Sequence, residues 1–342
     1  MFGMWSIPNI PTPRIIETTR KYLSRRKIMD KKLGNMLLTL LVVLAIFALA
    51  VFLVGNVFGV SSFQTDKATV LLRFGFVVLG ALIAFAVYLA TRENKAWEIG
   101  TRQVVWMAIG AALYAVFSWL FNGTVFLVPS ISQVAIRPAI AIPMFFGYAF
   151  GPVVGFFSGA VGNMFGDALT GFGLSPQWSI ANGLIGFIAG LPALFADKKK
   201  SLNLVLIIGG VLALLAAGLY FINPTISNLN YFNPVDDSFG TTQITLLAGG
   251  GAILIGLILV LIVRFAFGKN IDIATAVTWA MLGNVLGIGF AAISDIWING
   301  YSPAAAVVGE FLPAAGPNLI FAAILVPLLV VAYAAVQRQS GR

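Results

Sequence analysis

A chain of 342 residues that is 59% hydrophobic and only 10% charged, with a formal net charge of +9, does not have the composition of a soluble domain. Its continuous apolar runs, each of about 18 residues or more, indicate a polytopic helical membrane protein, and their lack of period-two alternation excludes a β-barrel. Cysteine and histidine are both absent, which removes thiol nucleophiles, disulfides, the commonest general base and the commonest metal ligand. No phosphate-binding loop occurs, since Gly268-Lys269-Asn270 lacks both the first glycine and the hydroxyl. The expectation is a non-enzymatic membrane protein with no cofactor and no metal.

In chain order, residues 1–33 form a tail with eight Lys/Arg and with Phe2, Trp5, Ile15, Ile16 and Leu23 as interfacial anchors. It reads as a basic cytoplasmic segment lying on the lipid surface, since it is too long for a signal-peptide leader and no cleavage site follows the first span. About ten spans follow, at 34–56, 69–91, 103–121, 135–151, 152–170, 178–196, 203–222, 243–266, 273–294 and 316–336. With the N-terminus inside, 18 of the 21 Lys/Arg fall on the inner side, and only Lys67, Arg73 and Arg137 lie toward the outside. The positive-inside rule therefore places both termini in the cytoplasm. It also explains the net charge without nucleic acid.

The third span carries Ala108/Ala112 and Ala111/Ala115 at four-residue spacing, small-residue strips against which another helix can lie closely. Asn122-Gly-Thr124 matches a glycosylation sequon but is too short a pattern to carry weight. Outer loops are expected at 223–240, with Asp236 and Asp237, and at 295–315, with Asp295, Trp297, Tyr301 and Glu310.

The most informative stretch runs from Arg137 to Leu191. Glycines at 147, 151, 155 and 159 recur every four residues along one side of two helices joined at Gly151-Pro152. Arg137 lies 14 residues before Gly151 and Asp167 lies 15 after Pro152. If the chain reverses there, both side chains sit about 22 Å from the turn, at ~1.5 Å per residue. Two neighbouring helices then hold an Arg and an Asp at one depth, near the outer face. Charges at membrane depth are costly and mark functional sites by default, although a pair that only locks two helices would look the same in sequence. Asn163 shares the face of Asp167 one turn earlier, and Trp178 and Asn182 open the next helix on the same side. Together they form a polar, partly aromatic cup.

No internal repeat of the secondary-transporter kind is visible, because the Gly/Pro/Asn-rich segments cluster in the fourth to sixth spans alone. The order of features does, however, resemble a known family. An Ala-striped helix, an outer loop and an Arg-led helix ending in Gly-Tyr-Ala-Phe-Gly151-Pro152 precede Gly155, Gly159, Gly162-Asn163, Asp167 and Asn182-Gly183. Gly309-Glu310-Phe311-Leu312-Pro313, Asn318 and Pro327 close the chain. This arrangement, over 103–196 and 273–336, resembles the substrate-binding S components of energy-coupling factor (ECF) transporters. The resemblance implies an all-α fold with a six-helix core and a vitamin-like ligand bound near the outer face of the cell membrane. It also implies a partner assembly of one transmembrane coupling protein and two cytoplasmic ATPases. The alanines 108, 111, 112 and 115 would meet the coupling protein, and loop 122–136 would cover the site. The family usually has about six spans, so 34–91 and 197–266 read as an added and an inserted hairpin around core segments 92–196 and 267–342.

The function expected is capture of a vitamin or related micronutrient. Arg137 would meet a carboxylate or phosphate, and Asp167 a ring N–H or that Arg. Asn163, Asn182 and Asn284 would supply amides, and Trp178 and Trp297 stacking surfaces. Riboflavin has a slight edge, because part of the family is labelled for it. Two alternatives stand beside this: an ion-coupled secondary transporter with Asp167 as coupling carboxylate, and a structural subunit in which Arg137 and Asp167 pair and leave no cavity.

Overall fold

The computed structural model describes residues 13–122, 127–171, 173–229, 232–233, 238–239 and 242–340, with the backbone alone given for 13–26, 122 and the two pairs at 232–233 and 238–239. The outermost tail residues, the Gly123-Thr124 part of the sequon and Asp236-Asp237 lie outside the described residues.

Apart from one two-residue ladder, the described regular structure is helical, and ten helices among the described residues match the ten expected spans. Helix α1 (Pro13–Ala48) continues with π-type winding through Leu49–Val57; α2 is Val70–Thr91 and α3 is Thr101–Asn122. A 3₁₀ turn (Pro138–Ile140) leads into the short α4 (Ala141–Phe150), followed by α5 (Pro152–Thr170) and α6 (Pro176–Gly190). Then come α7 (Lys198–Ile222), α8 (Ala252–Ala266), α9 (Ile271–Ile298) and α10 (Pro303–Gln339), whose start includes a π-wound stretch at Ala306–Phe311. Eight of these are long and apolar enough to cross a membrane. The other two are α4, which is short, and α5, whose apolar run is interrupted by the buried Ser158, Asn163 and Asp167. In the α7–α8 connection, Phe232–Asn233 and Ser238–Phe239 pair as a two-residue antiparallel ladder.

Helix α6 is the hub: it packs on α4, α5, α9 and α2, while α3 lies against α5 and α10 against α8, α9 and α4. In α6 and α9, 72% and 78% of the hydropathic window is buried inside the protein, against 33% in α1 and α3, so the last two face lipid. Small residues make the α5–α6 contact possible. A Cβ at Gly155 would run into the Gly186 backbone, and one at Gly159 into the Asn182 carbonyl, so the two backbones touch as close membrane packing requires. Gly147 plays the same part against Gly186. Gly151 does not. Its φ of 108° is a conformation open to glycine, and with Pro152 next it ends α4 and starts α5.

Two polar clusters tie the end of the bundle opposite the Arg137–Asp167 level. Lys198 and Tyr148 both reach Asp272 Oδ1, at 2.9 and 2.7 Å, joining α7, α4 and α9. Lys32 Nζ and Asn35 Nδ2 donate to the carbonyls of Asn94 and Ile99 at 2.9 and 2.8 Å, fixing α1 to the α2–α3 link.

The expected outer loop 295–315 is mostly helix. Helix α9 runs on to Ile298 and α10 begins at Pro303, capped by the Ser302 hydroxyl, which accepts from the Ala305 N–H at 3.1 Å. Asp295 and Glu310 therefore stand on helices, buried.

Candidate functional site

At the end of the bundle where α5 ends and α6 begins lies a cavity of about 210 Å³. Its wall draws on α2, the segment before α4, α5, α6, α9 and α10; neither α7 nor α8 contributes a lining residue.

One side is built from α5, α6 and the residue just ahead of α4. Pro138 starts a 3₁₀ turn and leaves Arg137 non-helical, so the guanidinium reaches across to α5. Its Nη2 donates to Asp167 Oδ1 at 2.8 Å and its Nη1 to Asn163 Oδ1 at 2.7 Å. Asn163 Nδ2 in turn donates to Asp167 Oδ2 at 2.7 Å and to Ser179 Oγ at 3.1 Å. Both carboxylate oxygens thus have a partner. The equal depth inferred from residue counts about Gly151-Pro152 is realised as this ion pair. Beneath it, the Tyr114 hydroxyl of α3 donates to Asn182 Oδ1 at 2.7 Å, and Asn182 Nδ2 donates to the Trp178 carbonyl at 2.9 Å.

Of the residues singled out from sequence, Arg137, Asp167, Trp178 and Asn182 line the cavity together, and Asn163 lies directly under them, fully buried. Two stand elsewhere. Asn284 lies deeper in α9, where its Nδ2 donates to the Ala315 carbonyl at 2.8 Å and braces α9 against α10. Trp297 is 61% exposed and packs on Phe76, away from the cavity. The alanine pairs also part company. Ala108 and Ala112 face outward, whereas Ala111 and Ala115 are buried against the glycines of α5, because at 100° per residue the two pairs occupy different faces.

The opposite side was not foreseen as a site. Asp295 Oδ1 and Oδ2 accept from Gln177 Nε2 at 3.0 Å and from the Trp178 indole at 2.7 Å. Glu310, brought inward by the π-wound turn of α10, is completely buried; neither of its oxygens accepts a well-formed hydrogen bond, and its carboxyl lies beside that of Asp295 and the hydroxyl of Ser132. Arg73 of α2 completes this wall. Its Nε donates to Thr69 Oγ1 at 2.9 Å and its Nη2 to Asn299 Oδ1 at 3.3 Å. Thr69 is itself held by Asp66, whose carboxyl is kept below its ordinary value by the Ala68 N–H and the Thr69 hydroxyl. The sequence signal for this wall was present: charged residues bordering apolar runs. Without the helix ends it pointed to solvent.

Of the segment expected as a cover, residues 127–136 are described. Leu127 bridges Ala135, Ile131 N–H donates to the Gly309 carbonyl at 2.9 Å, and Ser132 to Ala135 border the cavity. The carbonyl of Gly309 is available because the π-wound turn interrupts the normal helical ladder there.

A family model for "ECF-type riboflavin transporter, S component" matches residues 98–264. A UPF0397 protein of Vibrio atlanticus (strain LGP32) is 30% identical over 178 residues, covering 51% of this chain and 94% of that relative. The chain belongs to the ECF S component family. UPF0397 proteins of Aliivibrio salmonicida (strain LFI1238) and Aliivibrio fischeri (strain MJ11) are 27% and 28% identical over 172 residues, each covering 47% of this chain and 87% of the relative. No solved structure matches the chain. The S component family is a transporter family, not an enzyme family, and its membership makes this a multi-pass membrane protein. Whereas the sequence resemblance was drawn on 103–196 and 273–336, the family model matches α3 to α8 and stops before α9. Arg137, Asp167, Trp178 and Asn182 lie within the match. Arg73 precedes it, and Asp295, Glu310 and Asn318 follow it.

Proposed function

We propose that this S component captures a small polar micronutrient in the 210 Å³ cavity, opening to the outer face, and passes it inward with a coupling membrane protein and two cytoplasmic ATPases. The observation that carries this reading is a buried polar cavity whose Arg–Asp–Asn wall is already assembled, as a preorganised binding site requires. A structural subunit would have the ion pair and no cavity. A coupling carboxylate in a secondary transporter must exchange its ion during the cycle, whereas both oxygens of Asp167 are held by Arg137 and Asn163. The positive-inside distribution supports the outward orientation and cytoplasmic termini.

Helices α3–α6, α9 and α10 are the transport core in this reading, with α1–α2 added and α7–α8 inserted; the cavity takes nothing from α7 or α8, while α2 reaches it through Arg73. The cavity is smaller than the ~300 Å³ at which pockets for drug-sized ligands begin. In this reading a compact vitamin suits the cavity better than a three-ring flavin.

Ala108 and Ala112, the outward-facing pair of α3, form the surface for the coupling protein. The test is uptake of a vitamin panel by cells expressing the chain with and without the coupling protein and ATPases. Uptake should require the ATPases, and Ala112→Leu should stop it while leaving ligand binding intact. Uptake by the chain alone under a sodium or proton gradient would overturn the reading.

A further inference from the structure

We propose that Asp295 and Glu310, with Arg73 beside them, form a subsite that recognises a cationic, amidine-like group on the ligand. The proposal rests on the capture reading and gives its ligand a chemical class. Both carboxyls are buried, Asp295 at 1% and Glu310 at 0% exposure, yet both border the cavity. Buried charges are ordinarily matched by a partner. Across the cavity Arg137 and Asp167 satisfy that rule. Here two carboxyls face a single guanidinium, and the ion pairs among the described residues include none of the three.

Arg73 is turned toward Thr69 and Asn299. Asp295 receives two neutral donors, whereas Glu310, beside Ser132 and Asp295, accepts no well-formed hydrogen bond. With both carboxyls ionised, this side lacks one positive charge, which either a proton shared between them or a cation on the ligand supplies, and Glu310 lacks N–H donors. A planar amidinium or aminopyrimidine-type group supplies both, through charge-assisted bonds to Glu310 and to the outer lone pairs of Asp295. A multivalent metal ion is the poorer occupant, since no group of three metal-ligating side chains exists among the described residues.

The position of the three residues in the chain adds to the argument. All lie outside 98–264, the part matched by the family model. The segments beyond that match thus contribute a charged wall of their own to the cavity. In particular, the α1–α2 hairpin reaches the site through Arg73.

The experiment uses the purified full-length chain in detergent micelles, read by tryptophan fluorescence and melting temperature, with benzamidinium, its neutral isostere benzamide, the anion benzoate, and sodium chloride as probes. Benzamidinium should bind about tenfold more tightly than benzamide, the worth of one added charge-assisted hydrogen bond, and benzoate should not bind. Glu310→Gln and Asp295→Asn, which keep shape and remove charge, should each erase that preference. Equal affinity for benzamidinium and benzamide, an unchanged preference in both variants, or equal protection by sodium would overturn the subsite. A vitamin titration on the same samples separates this failure from that of the capture reading. A vitamin that binds the cavity without any cation preference leaves capture standing and removes the subsite; no binding of any vitamin or of benzamidinium removes both.

Discussion

The two walls of the cavity are built from the same residue types and treat charge in opposite ways. On the Arg137 side, every charged atom that faces the cavity from α5 is met within 2.8 Å by a partner from the protein itself. On the Glu310 side, two buried carboxyls lie beside each other, Asp295 with two neutral donors and Glu310 with no well-formed hydrogen bond. The first wall is complete before a ligand arrives and so belongs to folding as much as to binding. The second, in the proposed subsite, is completed by a cation on the ligand. Substitutions should therefore cost stability on one side and ligand selectivity on the other.

The largest effect is expected from Arg137→Ala. It leaves Asp167 buried without its counter-charge, a loss of about 3–5 kcal/mol for a broken buried pair. The melting temperature in micelles should fall sharply, and adding Asp167→Ala should restore part of the fall. If Arg137→Ala melts like the parent, the contrast between the walls fails. Tyr114→Phe sharpens the comparison at smaller scale, since it removes the 2.7 Å bond to Asn182 beneath the same wall. An interhelical hydrogen bond in lipid contributes about 0.6 kcal/mol on average and about 1.7 at most, and thermal melts should show a loss of that order. The smallest effect on stability should come from Glu310→Gln. With no hydrogen bond to lose and a buried charge removed, the melting temperature should not decrease. A marked decrease would show that Glu310 already has a structural partner.

The first wall could be read from sequence because Gly151-Pro152 fixes a reversal and residue counting then sets depth. Two charges equidistant from a hinge could be paired by depth, although Arg137 precedes a 3₁₀ turn and stands off the helix that the count assumed. The ten spans were legible for a similarly simple reason, namely long apolar runs separated by charge. The second wall depended on where α9 ends and α10 begins. Residues 295–315 mix Asp, Gly, Pro and Ser with short apolar runs, which suggests a loop. In the fold, the Ser302 cap and the π-wound turn carry the helix through that region and turn Glu310 inward. Gln177 was hidden beside the more conspicuous Trp178. Asn284 illustrates the converse difficulty: a lone amide in an apolar helix can serve a ligand or a neighbouring carbonyl, and sequence spacing does not distinguish them. The alanine pairs of α3 differ by only three positions, yet that rotation separates an outward surface from a packed one.

The central claim, capture by a preassembled cavity, is tested most directly by titrating the purified full-length chain with a panel of vitamins, without any ion gradient, while following tryptophan fluorescence. Saturable binding of one vitamin, retained in Ala112→Leu, is the result predicted. Absence of binding across the panel, together with sodium- or proton-dependent vitamin uptake by vesicles holding the chain alone, would contradict it.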